Sequence, residues 1–481
     1  MNSISHFLLS GVLVCTAFLT GCGGGSGGAA PAPFSSAGPG TPAAQAVQPP
    51  ASGYPGEPTA CTDTDQRSWL NAYMADQYFW NANLAVPNAA AATLDAYFNS
   101  LLFVPTDRYS FTQDAAQVAQ VATQGTRTGY GYSLAFTDAS RTQLQVRLVE
   151  PNGPAAAAGL KRGDTVLSID GLGPASIANG EVPTVTTSGT TRTFSLADAA
   201  GPPRVITMVS KNFALTPVLA DQIMKSASGV KVGYLAYQEF TELSLPALGA
   251  AFTRFRDEGV KELIVDLRYN GGGSVLVARA LASLMGGAAL DGQAFAKLRF
   301  NAQNSSKNFD YPFTADRTRL PAVPLEGLAS IFFITSPNTA SASELVINAL
   351  KPFKNVITIG ASTFGKPYGF QPRSACGIAY NAVNFETFNS ADVGRYINGL
   401  PATCSVSDDL SKALGDPTER RTAAALGYIQ TKACPDTANA IQSNKANSQQ
   451  NRAQTATESI AKPAWREPAF GEVTLPAMVA D

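Results

Sequence analysis

Imidazole is almost absent from this chain: its 481 residues include one histidine, His6, in an N-terminal segment built like an export signal. Once that segment is removed, no Ser-His-Asp or Cys-His machine can be assembled, and no metal site can draw on a histidine ligand. Strong charge of either sign is missing as well. A formal charge of −1 with no basic run excludes nucleic acid or an anionic lipid surface as a main partner. The six cysteines include no short C-x-x-C knuckle, so a metal site is not expected, and no motif asks for a cofactor. No G-x-S-x-G elbow occurs. Any hydrolytic chemistry must therefore run on another base.

What is present starts with an apolar run from Phe7 to Leu19, too short to span a bilayer as a mature helix but suited to a signal h-region. It ends in Leu19-Thr20-Gly21-Cys22, similar to the bacterial lipobox, although no Lys or Arg precedes Phe7. Cys22 is thus expected to be lipidated, anchoring the chain in the bacterial cell envelope and facing the periplasm or cell surface. Gly23 to Pro58 is almost entirely Gly, Ala, Ser and Pro, the composition of a flexible tether. No later segment is apolar enough to span a bilayer, so the body should be soluble. Cys61, Cys376, Cys404 and Cys434 suit two disulfides in an oxidising compartment. The preferred pairing is Cys376 with Cys404, leaving Cys61 for Cys434.

Residues from Thr62 to about Gln113 read as helical. Asp63 or Asp65 would cap a helix through Trp69, Tyr73 and Tyr78, and a second helix covers Ala91 to Leu102. Near Gly125 the pattern turns to short strands: Tyr130–Phe136 and Thr142–Leu148 alternate apolar and polar side chains. Pro151-Asn-Gly-Pro and an Ala-rich run to Gly159 follow, then Lys161-Arg-Gly-Asp164 and Val166–Gly171. From Val232 strands and helices alternate: a strand at Val232–Tyr237, a helix at Leu245–Glu258 and a buried strand at Glu262–Leu267. A strand at Leu328–Thr335, a helix at Ser341–Lys351 and a strand at Asn355–Gly360 complete an α/β layout.

The chemistry-bearing residues sit on the loops of that layout. Ser341, in Thr339-Ala-Ser341-Ala-Ser343-Glu344, falls where a turn meets a helix N-terminus, leaving main-chain N–H groups for an oxyanion. Ala342 N–H is one candidate donor; Gly272 or Gly273, in the Gly-rich end of Asp266-Leu-Arg-Tyr-Asn-Gly-Gly-Gly273, supplies the second. Lys366, in Thr363-Phe-Gly-Lys366, is the candidate base, and burial beside groups such as Phe364 would favour its neutral form. Glu344 would orient Lys366 or a nearby hydroxyl, or simply face the helix dipole.

Taken in order, the strand, Ala-rich helix to Gly159, turn and strand ending in Asp170-Gly171 resemble a PDZ domain, a likeness that runs from about Gly125 to Ser210. The motifs Asp-Leu-Arg-x-Asn-x-Gly-Gly, Thr-Ala-Ser-Ala-Ser-Glu and Thr-Phe-Gly-Lys resemble those of the C-terminal processing (tail-specific) serine peptidases, family S41. The similarity runs from about Trp69 to Ala433, and the Ser-to-Lys offset of 25 (366 − 341) matches that family's dyad. The resemblance implies a ClpP/crotonase-like α/β catalytic core, a PDZ-like β-rich domain and an N-terminal helical segment. It implies Ser341 as nucleophile, Lys366 as general base, and protein or peptide C-terminal tails as partners. Gly129-Tyr130-Gly131-Tyr132 would form the carboxylate loop and first peptide-binding strand. The family commonly places an assisting glutamine four residues after the lysine; here Gln371 comes one residue later, and Gly271 stands where a proline is usual. The expected organisation is a signal over 1–22, a tether over 23–58, a helical region over 59–118, a PDZ-like domain over 119–212, a catalytic domain over 213–435 and a tail over 436–481. The sequence does not set the oligomeric state.

The sequence offers three rival readings. Gly360-x-x-x-x-Gly365-Lys366 fits a phosphate loop, but Pro367 supplies neither a hydroxyl for magnesium nor a backbone donor. Ser228-Gly-Val-Lys231 fits S-x-x-K, yet lies in a turn rather than on a helix and has no companion motifs. The competitor from another class is a PDZ-bearing scaffold that binds peptide tails without cutting them.

Overall fold

The computed structural model describes residues 56–58, 60–198, 201–314 and 323–435. The export signal with Cys22, nearly all of the tether and the 436–481 tail lie outside them. Among the described residues no helix is long and apolar enough to cross a membrane.

The N-terminal region opens with the helix Asp63–Gln77, which buries Trp69, Leu70, Tyr73 and Met74 at helical spacing. Its cap is Thr62, not Asp63 or Asp65: the extended Thr62 accepts from Asp65 N at 3.2 Å. Both aspartates stand inside the first turn, where their charge meets the helix dipole. The second helix is shorter than expected, Leu94–Leu101, because Thr93 caps it by accepting from Ala96 N. The helical reading to Gln113 also fails at its end. Phe111–Asp114 is a strand, antiparallel to Ile378–Asn381, a partner that no local pattern discloses.

That pairing overturns the expected disulfides. The bonds are Cys61–Cys376 and Cys404–Cys434, not Cys376–Cys404 and Cys61–Cys434. Cys376 lies in the turn between Arg373–Ala375 and Ile378–Asn381, the hairpin that receives the N-terminal region. Cys404 pairs with Ile359 at the edge of the core sheet, beside the helix Arg420–Thr431 that leads to Cys434.

Five antiparallel strands form the PDZ sheet in the order Tyr132–Phe136, Leu144–Val149, Thr165–Ile169, Thr191–Leu196, Arg204–Val209. Alternate residues (Leu144, Val146; Phe194, Leu196) point into its own apolar core. The Lys161–Asp164 turn docks it on the α/β core. Arg162 donates to Tyr269 Oη at 2.7 Å and Asp408 Oδ1 at 3.2 Å, and a Cβ on Gly163 would lie 2.5 Å from Leu410 O.

The core sheet has six strands in the order Cys404–Ser405, Val356–Gly360, Ser330–Thr335, Glu262–Asp266, Lys231–Tyr237, Val218–Lys225. All neighbours are parallel except the last pair. Parallel strands covered on both faces need apolar residues at every position, and these supply them. Leu235, Leu263, Val265, Ile331 and Phe333 face the helices Leu245–Asp257, Val275–Gly286 and Ala342–Leu350. Tyr234, Ile264, Phe332 and Ile334 face Arg420–Thr431 on the other side. A second sheet, Phe309–Pro312, Ala294–Phe300, Val383–Phe388, Tyr368–Phe370, stands beside the first. Its last strand follows directly on Lys366.

Candidate active site

Ser341 sits between the strand Ser330–Thr335 and the helix Ala342–Leu350, with φ +63° and ψ −119°. That pair lies outside the left-handed basin open to L-residues, so the surroundings must hold it there. The holding groups are visible. Ala340 N and Ser343 Oγ both donate to Asn270 O, at 3.1 and 3.0 Å. Asn270 Nδ2 donates to Tyr237 O at 3.0 Å, so one buried amide ties the Gly-rich loop to both the serine turn and the neighbouring strand. Ser341 Oγ is buried and has no hydrogen-bond partner among the described residues, a state that a structural serine rarely adopts.

Glu344 is the other anchor, holding main-chain donors and a neighbouring hydroxyl. Its Oε2 accepts from Ser341 N at 2.9 Å and from Lys366 N at 2.8 Å. Its Oε1 accepts from Gly365 N at 2.7 Å and Thr363 Oγ1 at 2.5 Å. One buried carboxylate thus clamps the main chains of Ser341 and Lys366 to a single oxygen. Burial pushes its pKa up, against the four donors, which favour the charged form. The same clamp disposes of the phosphate-loop reading: the N–H groups of Gly365 and Lys366 already face an internal anion.

Lys366 is buried, and the ring over its Nζ is that of Phe370, at 4.0 Å from the centroid. Phe364, the expected apolar neighbour, packs on the cluster that holds Phe370, with the Arg108 guanidinium over its ring. Tyr109 Oη donates to Gly365 O at 2.9 Å, so the N-terminal region closes over the lysine loop. Gln371 follows the strand Tyr368–Phe370, with its main-chain N–H on Asn384 Oδ1 at 2.5 Å.

The Gly-rich loop packs hard against the serine. A Cβ on Gly272 would lie 2.8 Å from Ser341 Cβ and 2.9 Å from Ala342 N, and one on Gly273 2.2 Å from Phe240 O. Gly272 N–H is engaged, donating to Asn270 Oδ1 at 2.8 Å. Asp266 and Arg268 serve the scaffold instead. Arg268 is 1% exposed and pairs with Asp266, Asp408 and Glu419. Burial works against the Asp408 charge, but Arg421, Arg268 and Arg162 hold its carboxyl well below the usual range.

In the PDZ sheet, Tyr132–Phe136 is the end strand, the place for an added peptide strand. Gly129 and Gly131 have φ +152° and +76°. Tyr130 Oη donates to Thr190 O at 3.0 Å, and Arg192 Nη1 donates to Tyr132 Oη at 2.9 Å. Ser228 and Lys231 stay apart from this chemistry: Lys231 pairs with Glu258. Sequence reasoning missed Asn270, Thr363 and Phe370. The first two lay inside quoted motifs; nothing local singled out the third.

This arrangement is that of an S41-type fold, and comparison with known proteins agrees. Residues 231–386 match the peptidase family S41, residues 65–111 the peptidase S41 N-terminal domain and residues 145–172 the PDZ domain. The chain thus carries peptidase S41, S41 N-terminal and PDZ segments and is similar to carboxyl-terminal-processing proteases. It is 25% identical over 328 residues to the chloroplastic C-terminal processing peptidase of Tetradesmus obliquus, covering 63% of this chain and 66% of that one. It is 27% identical over 282 residues to the carboxyl-terminal-processing protease of Synechocystis, covering 57% and 62%. The chain therefore spans less than two thirds of the length of either relative. A Bacteroides fragilis structure named as an S41 protease shares the fold with TM-score 0.63 at 25% identity, over 76% of this chain and 97% of that one.

Proposed function

We propose that the protein is a serine endopeptidase of the cell envelope that cleaves unstructured or C-terminal protein segments. The observation that carries this reading is the Glu344 carboxylate, which holds the main chains of Ser341 and Lys366 against one oxygen. Ser341 Oγ attacks the scissile carbonyl carbon while Lys366 Nζ takes its proton. Ala342 N–H, with Gly273 N–H as its companion, faces the oxyanion; Gly272 N–H is already engaged. Collapse breaks the C–N bond, and the lysine proton passes to the leaving amine. Water then releases the acyl group by the same route. A folded substrate cannot bring a peptide bond to so buried a hydroxyl, whereas an extended segment can. The end strand Tyr132–Phe136, with the Gly129–Gly131 turn, would receive the substrate tail, and acylated Cys22 would hold the enzyme at the membrane.

The test compares the full chain with Ser341→Ala and Lys366→Ala on an unfolded protein ending in apolar residues. Cleavage by wild type alone supports the dyad. Equal residual cleavage in all three places the chemistry elsewhere. Tail binding with no cleavage by any variant would favour the scaffold.

A further inference from the structure

Phe370 is fully buried, like the lysine it covers. Its strand, Tyr368–Phe370, runs antiparallel to Val383–Phe388, and the register shifts between Gly369, opposite Phe385, and Phe370, opposite Val383. An irregularity of this kind re-aims a side chain that regular alternation would send elsewhere. The ring is held from behind by Phe111 at 5.7 Å and an interplanar angle of 79°, and Phe111 is fixed by its pairing with Asn381. Tyr109, Tyr368 and Val383 complete the cluster.

The charged or titratable groups around the lysine loop come from several segments, including Asp107, which accepts from Tyr109 N at 2.8 Å, and Glu386, opposite Tyr368 and paired with Arg395. Glu344 holds the loop's main chain, and Tyr109 Oη reaches Gly365 O. Arg108 donates to Ile397 O at 2.7 Å with its guanidinium over Phe364. Tyr396 is half-buried, with its hydroxyl enclosed, and feels the Glu344 charge, and Tyr368 flanks Tyr109.

We propose that Phe370 is the positioning residue for Lys366: its ring face fixes Nζ, excludes water from it, and favours the ammonium formed when Ser341 gives up its proton. This rests on the Ser341–Lys366 reading above. Water exclusion favours the neutral amine, while the ring quadrupole attracts the cation. An aliphatic side chain keeps the first effect and loses the second, so the lysine becomes a weaker base.

The experiment follows the pH dependence of Ser341 labelling by a fluorophosphonate in the full chain, read by intact mass with melting temperature alongside. Wild type, Lys366→Ala, Phe370→Leu and Phe370→Tyr are compared. In Phe370→Leu the midpoint of the acid limb should fall by about 0.4 to 1.5 pH units, while Phe370→Tyr, which keeps a ring face, should hold the wild-type midpoint. If Phe370→Leu does not fold, Phe370→Met carries the measurement. An unchanged midpoint in a folded aliphatic variant overturns the proposal and leaves the dyad standing. Wild type that fails to label, or labels equally well as Lys366→Ala, overturns the dyad and this proposal with it.

Discussion

At the scale of single residues, Glu344 does work that its sequence position only hinted at. Three residues after Ser341, it reads equally well as half of a capping box or as a favourable first-turn charge. In the structure it is fully buried and accepts four hydrogen bonds, two at each oxygen. Glutamine has nearly the same shape but only one acceptor oxygen, so at least two of those donors would face an N–H group. Glu344→Gln should therefore cost about 2 to 4 kcal/mol, read as a lower urea midpoint. It should also slow Ser341 labelling, since the serine and lysine main chains lose their shared anchor. A variant as stable and as reactive as wild type would reduce Glu344 to an ordinary helix-end charge.

At the scale of elements, legibility depended on whether the cause of a structure was local. The core strands could be read because parallel pairing demands continuous apolar runs, and Glu262–Asp266 and Ser330–Thr335 have them. The serine helix could be read because a turn, a Ser and a Glu three residues on mark a helix start. Phe111–Asp114 could not, since its partner lies some 270 residues further along at Ile378–Asn381, and the disulfides follow that pairing. The register shift that aims Phe370 at Lys366 is equally non-local. The two disulfides also differ in what they constrain, with sequence separations of 315 and 30. In the chain-entropy account the longer closure stabilises more. Removing Cys61–Cys376 by paired serine substitutions should cost about 5 to 6 kcal/mol, and removing Cys404–Cys434 about 3 to 4 kcal/mol. Urea midpoints of the oxidised variants check the order; a reversal would mean that native packing near Cys434 outweighs loop closure.

At the scale of the whole molecule, the described residues of the PDZ sheet and the α/β core meet in polar contacts of two opposite characters. Around Arg162 and Asp408 the charges are compensated, with Arg268 and Arg421 completing the set. The second contact is short of positive charge. Glu150, after the PDZ strand Leu144–Val149, and Glu239, after the core strand Lys231–Tyr237, are both buried. Arg127 stands 3.8 Å from Glu239. Burial first, and then Glu239, raise the Glu150 carboxyl to about 7, against Arg127 and the Thr216 N–H; burial also raises Glu239. The sign follows from proton counting. An unfolded chain releases the Glu150 proton near its ordinary value of 4.5, while the folded protein keeps it to about 7. Between those values the unfolded state binds fewer protons, so stability declines as pH rises, intact below 4.5 and lost once past about 7. That shift corresponds to on the order of 3 kcal/mol. Glu150→Gln keeps an oxygen for Thr216 N–H and removes the titration. The unfolding free energy of wild type should fall from pH 5 to pH 8 by more than that of the variant, with the difference near this size. Parallel pH profiles would mean that water or a rearranged Arg127 compensates Glu150, and that the junction between the two domains is indifferent to pH.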